Sequence, residues 1–311
     1  MPSPSVSVII PCHNAEHHIR TCLEGLHRQD YGDFEIVVVD DGSTDSTPAM
    51  LKEYPDIKLV ECPENLGPAA ARNRGVEAGG GDLLVFLDSD CAVEDPGWLS
   101  AHARAQSTLV DTLVGGGIEG IGDGIVARAD RYCHWLTNIP HSRPRVVSSS
   151  TPARRIRFSR HLVTTNLSLK RDTLRRIGPF DESLRTGEDV EFCERAVARG
   201  MTLRLEPSIV VKHHDRESLA EFFCCFYRAG IDRVPARRRH RSRYYRLMPV
   251  GVVSSLLLAV PIGLLAPLQP IRAWWPYDKR VALYYPLIAL ASFAMALGIV
   301  HYWRTQRTAQ T

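Results

Sequence analysis

At 311 residues, 44% hydrophobic and 23% charged, the chain is long enough for one large domain or two small ones, each with a full core. A formal net charge of +3 does not suggest a nucleic-acid binder as a whole, although the basic residues are unevenly spread. The eight cysteines contain no C-x-x-C pair, and several fall inside apolar helix or strand patterns, as buried thiols in a reducing compartment do.

The apolar run in "SVSVIIPCHN" is short and has no basic stretch before it, so no secretory signal is expected and the first half should stay in the cytoplasm. "VSVIIP" (6–11) predicts a first strand. Ile19, Cys22, Leu23 and Leu26 then recur at the spacing of one helix face. "FEIVVVD" (34–40), "IKLVEC" (57–62) and "DLLVFLD" (82–88) predict further strands, separated by helices over "STDSTPAMLKEY" and "GPAAARNRGVEAG". Near-continuous apolar strands alternating with helices indicate an α/β fold with a mostly parallel sheet covered on both faces.

From about 110 to 170 the pattern loosens, with many Gly, Ser, Arg and Pro residues. "GGGIEG" (115–120) satisfies G-x-G-x-x-G, but glycines at 122 and 124 occupy the place where a dinucleotide-binding helix would start, which argues against that reading. Beyond it, "HLVTTNLSLKRDTLRRIG" predicts a strand entering a short helix. "GEDVEFCERAVARG" predicts a helix with Val190, Cys193 and Val197 on one face, and "TLRLEPSIVVKHH" further strands.

At 237–246 the chain reads "RRRHRSRYYR", and two uncharged apolar stretches follow, Leu247 to Ile271 and Val281 to Val300. Each meets the roughly 20 residues needed to span a bilayer. A hairpin of two transmembrane helices, at about 248–270 and 281–302, is therefore expected, kinked or re-entrant near Pro261 and Pro267. The arginines place its ends at the cytoplasmic headgroups, next to anionic lipid, rather than on nucleic acid. The expected organisation is a catalytic domain over 1–235 and a membrane segment over 236–311.

In an open parallel sheet, ligands sit beyond the carboxyl ends of the strands. Asp40 and Asp41 end the second strand, and Asp88 and Asp90 end the fourth, so four carboxylates gather on one rim. "DDGSTD" alone reads equally well as a turn and helix cap. Two such motifs on one rim instead call for a partner, and a hard divalent ion shared with a substrate phosphate would relieve the repulsion.

"VSVIIPCHN", "VVVDDGSTD", "NLGPAAARNRG", "LLVFLDSD", "IGPFDESL" and "GEDVEFCERA", in this order over residues 5–230, resemble glycosyltransferase family 2. The resemblance implies the GT-A fold and inverting transfer from a UDP-, GDP- or dTDP-linked sugar. It places Asp41 at the nucleotide base, with Asp40 and the backbone near Pro11 beside it, and Arg72 and Asn73 near the base or diphosphate. Asp88 would approach the ribose and the metal, and Asp90 would ligate Mn²⁺ or Mg²⁺. Within "GEDVEF", Asp189 is the implied base, with Glu188 beside it. A metal-ligating histidine is matched by His213, which strand alternation turns away from His214. The Q-x-x-R-W motif of processive synthases is missing, since the comparable region reads "FFCCFYRAG", so single transfer is expected.

The expected protein is thus a multi-pass enzyme of the cell membrane with a cytoplasmic catalytic domain. Its acceptor would be a lipid-linked or envelope glycan, and nucleic acid is not a partner. A sugar-phosphate nucleotidyltransferase and a non-catalytic nucleotide-sugar binding protein are the rival readings.

Overall fold

The computed structural model describes residues 4–136, 138–140, 142–151, 161–240, 249 and 251–308, with the side chains of 236–240 and 307–308 left aside. The chain divides into two compact units. One comprises residues 1–119 and 137–213, the other 120–136 and 214–311.

The first unit is built on a mixed sheet. Strands β1 (Val6–Cys12), β2 (Phe34–Asp41), β3 (Lys58–Cys62) and β4 (Leu83–Leu87) are parallel neighbours in the order β3-β2-β1-β4. Every residue of β4 and all of β1 except Pro11 are buried, which is why these strands read as continuous apolar runs. Helix α1 (Ile19–His27) buries the predicted stripe Ile19, Cys22, Leu23 and Leu26, whereas α2 (Thr47–Leu51) forms only the middle of its predicted span. Helix α3 (Pro68–Ala78) opens with proline in its first turn, where a missing N–H costs nothing.

Beyond β4 the sheet changes direction. Strand β8 (Asn166–Lys170) pairs antiparallel with β4 and with β6 (Thr112–Ile121), and β9 (Thr202–His214) pairs antiparallel with β5 (Cys91–Ala92) and β7 (Arg145–Val147). The mostly parallel sheet expected from sequence is therefore its first half. Strand β6 runs through the glycines that disguised it. A Cβ on Gly116 would collide with the Asn166 side-chain amide and the Ile209 carbonyl, so only glycine lets these strands close. Because those glycines lie within a strand, they do not open a helix onto a dinucleotide.

Helix α4 (Trp98–Ser107) lays His102 and Gln106 on β8. His102 contacts Ser168 Oγ and Asn166 Oδ1, both at 2.9 Å, and the Asn166 amide donates to the Gly117 and Ile209 carbonyls. On the other side, α6 (Arg171–Ile177) and α7 (Glu188–Ala198) cover an apolar core. There Phe180 meets Phe86 edge-on at 5.4 Å and stacks on Phe192 at 4.3 Å.

The second unit is helical: α5 (Ile125–His134), α8 (Leu219–His240), α9 (Val252–Leu265), α10 (Leu268–Trp274) and α11 (Tyr285–Thr308). Stretches Val252–Trp274 and Lys279–Gln306 are long and apolar enough to cross a membrane, and the first is broken at Pro267 as its prolines suggested. Sequence reading did not place α5 or α8, and the expected domain boundary at 235 falls inside α8. Phe222 and Phe226 of α8 pack against Ala129 of α5 and Ala291 and Ala294 of α11. A Cβ on Gly230 would strike the Met295 carbonyl, and one on Gly298 the Tyr227 carbonyl, so α8 and α11 touch backbone to backbone. Most of the arginine cluster at 237–246 lies outside the described residues.

Candidate active site

The candidate catalytic, donor-binding and metal residues all lie in the first unit. Strand register aligns the rim: Pro11 lies opposite Val39, and Cys12 opposite Asp40. The loop after β1 is laced to the loop after β2. Asn14 N–H donates to Ser43 Oγ at 2.9 Å, and Thr44 N–H donates to Asn14 Oδ1 at 2.8 Å. Asp40 accepts from the Ser43 N–H at 3.1 Å. Asp41 is buried, and its two oxygens accept the Leu66 and Gly67 N–H groups at 2.9 and 2.7 Å. It thereby holds the start of α3, where a carboxylate also offsets the helix dipole.

From α3, Arg72 reaches two acids at once. Its guanidinium donates to Asp88 Oδ1 at 2.8 Å and to Glu188 Oε1 at 2.7 Å, and the residue is only 3% exposed. Thr165 Oγ donates to the other oxygen of Asp88 at 2.6 Å. Arg72 therefore supplies the charge that lets Asp88 stand beside an apolar core, through the fork geometry that suits arginine to carboxylates. Asn73 serves a different end. Its amide donates to the Phe180 carbonyl at 3.0 Å and Glu182 at 2.9 Å, and its oxygen accepts the Phe180 N–H, so it fixes the loop before α7.

Glu188 and Asp189 begin α7 but differ in environment: Glu188 is buried against Arg72, and Asp189 is half-buried. Burial raises the Glu188 carboxyl above the ordinary range, with Arg72 opposing the shift and the Asp189 charge adding to it. The thiols near the rim are disfavoured as thiolates. Burial and the charge of Asp40 push Cys12 up to about 12, and burial with Asp90 and Asp88 lifts Cys91 well above its usual value.

Because Cys91 pairs with His213 across the β5–β9 ladder, Asp90 reaches the same place: His213 Nε2 lies 3.2 Å from Asp90 Oδ2. His213 is buried and His214 half-buried on the opposite strand face. Among the described residues, no three His, Cys, Asp or Glu side chains gather closely enough to hold a metal by themselves. The carboxylate and imidazole of Asp90 and His213 suit a divalent ion that takes its remaining ligands from phosphate and water, as Mg²⁺-type sites at diphosphates do.

Thr165 and the fork made by Arg72 were not foreseen. The only sequence signal for the fork was a lone arginine in an Ala-rich helix face that is otherwise buried, and Thr165 carried none.

A parallel strand block ending in an acidic rim, continued by an antiparallel half with an acidic helix start, is the GT-A architecture. Solved structures of similar fold include the mannosyltransferase PcManGT from Pyrobaculum calidifontis in complex with GDP-Man and Mn²⁺. It has a TM-score of 0.61 and 18% identity, and the match covers 98% of this chain and 88% of that one. Residues 1–349 of S. aureus TarS in complex with UDP give a TM-score of 0.53 at 19% identity, covering 98% and 92%. In sequence, the chain is 31% identical to glycosyltransferase AglE of Haloferax volcanii over 252 residues, 76% of this chain and 77% of that protein. It is 29% identical to the pre-mycofactocin glycosyltransferase of Mycobacterium tuberculosis, spanning 83% of this chain and about half, 53%, of that protein. Residues 7–172 match the family model Glycosyl transferase family 2. The chain belongs to glycosyltransferase family 2 and is a glycosyltransferase.

Proposed function

We propose that this glycosyltransferase moves a sugar from a nucleoside-diphosphate donor to an acceptor hydroxyl with inversion, assisted by Mn²⁺ or Mg²⁺. The observation that carries the reading is the convergence of Asp90 with His213 and of Asp88 with Arg72 and Glu188. Further support comes from the PcManGT and TarS structures, solved with GDP-Man and Mn²⁺ and with UDP. Asp90 and His213 would hold the metal on the diphosphate, with Asp88 at its edge. A bound divalent ion neutralises charge on the departing nucleoside diphosphate. Pro11, Asp40 and Asp41 would frame the base, and Asn73 would act through the loop it holds.

Asp189 is the general base that takes the proton of the attacking acceptor hydroxyl, which enters opposite the leaving group. Glu188, fixed by Arg72, is a positioning residue. Purified full-length protein incubated with UDP-, GDP- and dTDP-sugars and Mn²⁺ should release nucleoside diphosphate from one of them. Asp189→Asn should lower kcat by about 10² or more with little change in donor affinity. A larger loss in Glu188→Gln would reverse the two roles.

We further infer that the enzyme is held at the cell membrane, with the catalytic domain in the cytoplasm and a lipid-linked or envelope glycan as acceptor. Helix α9 supports this, because Val253, Leu256, Leu257, Val260, Leu264 and Leu265 are exposed along it. Two full crossings would carry the turn around 275–278 to the far side. Tyr132 Oη of α5, however, donates to Asp278 at 2.6 Å, which favours a hairpin seated in one leaflet with its turn beside α5. A cysteine placed at Tyr277 and probed in intact cells with an impermeant maleimide separates the two. Labelling means crossing, and protection means the shallow seat.

A further inference from the structure

One cluster of nucleophilic and titratable side chains lies outside the residues assigned above to glycosyl transfer, in the second unit. On α8, Cys225 Sγ lies 3.7 Å from His134 Nε2 on α5. The other ring nitrogen of His134 faces Asp130 Oδ1 at 3.1 Å, one turn earlier on the same helix. Asp130 is 2% exposed and is held in turn by the Arg216 backbone N–H and guanidinium, both at 3.2 Å. Cys225 is half-buried, with Cys224 exposed beside it and Cys133 adjacent to His134.

We propose that Cys225, His134 and Asp130 form a second reactive centre, a thiolate–imidazolium pair oriented by a buried carboxylate, which takes small disulfides and soft electrophiles. The reaction is thiol–disulfide exchange. The Cys225 thiolate attacks one sulfur of a small disulfide, the S–S bond breaks, a mixed disulfide forms on Cys225, and the second sulfur leaves as a thiolate that water protonates. No net oxidant is needed beyond the disulfide itself.

The charges around the sulfur favour this state. Burial opposes a charged His134, but Asp130 outweighs it and lifts the imidazole to about 10, so the ring is cationic at neutral pH. Burial likewise works against a Cys225 thiolate, and Asp130 adds to that. The hydrogen bond and charge of His134, with the charge of Arg216, prevail and bring the thiol below its ordinary value. Cys133, next to His134 in the chain, goes the other way: burial, Asp130 and Cys225 raise it well above normal. Of these two thiols, only Cys225 is favoured as a thiolate.

The test uses full-length protein in detergent, with iodoacetamide and cystamine as probes and residue-resolved mass spectrometry as the readout. At pH 6.5 Cys225 should react about tenfold faster than Cys224, although Cys224 is the more exposed, and the advantage should vanish in denaturant. His134→Asn should abolish the advantage and move the Cys225 pH–rate midpoint upward by about one unit or more. The comparison of Cys225 with Cys224 needs no variant, so a misfolded His134→Asn does not rescue the proposal. Parallel pH–rate profiles for the two thiols in the folded wild type overturn it. An unchanged Cys225 profile in folded His134→Asn protein also overturns it and leaves the cluster as a polar tie between α5 and α8.

Discussion

Replacing Arg72 by methionine keeps most of the side chain's apolar stem and removes its charge. In the wild type the guanidinium is almost wholly buried and donates to Asp88 at 2.8 Å and Glu188 at 2.7 Å. Removing one partner of a buried pair strands the other charge, at a cost of about 3–5 kcal/mol. Glu188 is the carboxylate stranded here, since Asp88 is partly exposed and keeps its hydrogen bond from Thr165, so the loss should lie at the lower end of that range near pH 7.5. It should shrink as the pH is lowered toward 5, because a stranded Glu188 already disfavoured as an anion can then protonate. Arg72→Lys should fall between, since an ammonium retains charge but cannot fork to both acids. The double variant Arg72→Met with Glu188→Met should recover part of the loss. Urea unfolding in detergent at the two pH values, followed by tryptophan fluorescence, measures all four. A loss below about 1 kcal/mol for Arg72→Met, or no recovery in the double variant, would refute the bridge as a structural tie.

Gly116→Ala should destabilise the first unit by about 1–3 kcal/mol, since the new methyl meets the Asn166 amide and the Ile209 carbonyl, and thermal unfolding checks it. His102, depressed to about 4 by burial although Asn166 opposes the shift, contributes stability that is complete above the unfolded value near 6.5. That contribution, about 3 kcal/mol, should disappear as the pH falls from 6.5 to 4, and unfolding free energies of wild type and His102→Gln across that window should converge. Leu257→Glu on the exposed face of α9 should reduce flotation with anionic vesicles without lowering donor hydrolysis, whereas equal flotation would count against a lipid-facing α9.

The parallel half of the sheet and the rim of acids were legible because each strand is buried on both faces and ends in a carboxylate. The antiparallel half was obscured by the very residues that make it possible. Gly115, Gly116 and Gly117 read as a loop because glycine weakens a strand taken alone, and the reasons for them lie far along the chain, at Leu162, at Asn166 with Ile209, and at Pro207 with Pro140. Pro207 suggested several strands where β9 is one. The partners of Arg72 were illegible for a related reason: Glu188 is 116 residues distant, and no local pattern announces a bond of that length. Helix α8 was missed because its apolar residues face two other helices, so its stripe is not that of a helix on a single surface.

The direction change at β4 bears on the order in which the chain folds. Strands β1 to β4 come from residues 6–87 and pair with one another, so this parallel block can assemble before any later strand is made. The free side of β4 has to wait for β8, whose Lys170 pairs with Leu83 only after more than 80 further residues have been made. At synthesis rates of about 5–20 residues per second, that interval lasts several seconds. Throughout it, Leu-Leu-Val-Phe-Leu presents a bare, wholly apolar edge, the kind of template on which another nascent chain can add a strand. Slow or paused translation between residues 90 and 166 should therefore cost this enzyme more in aggregated product than a pause anywhere after β8.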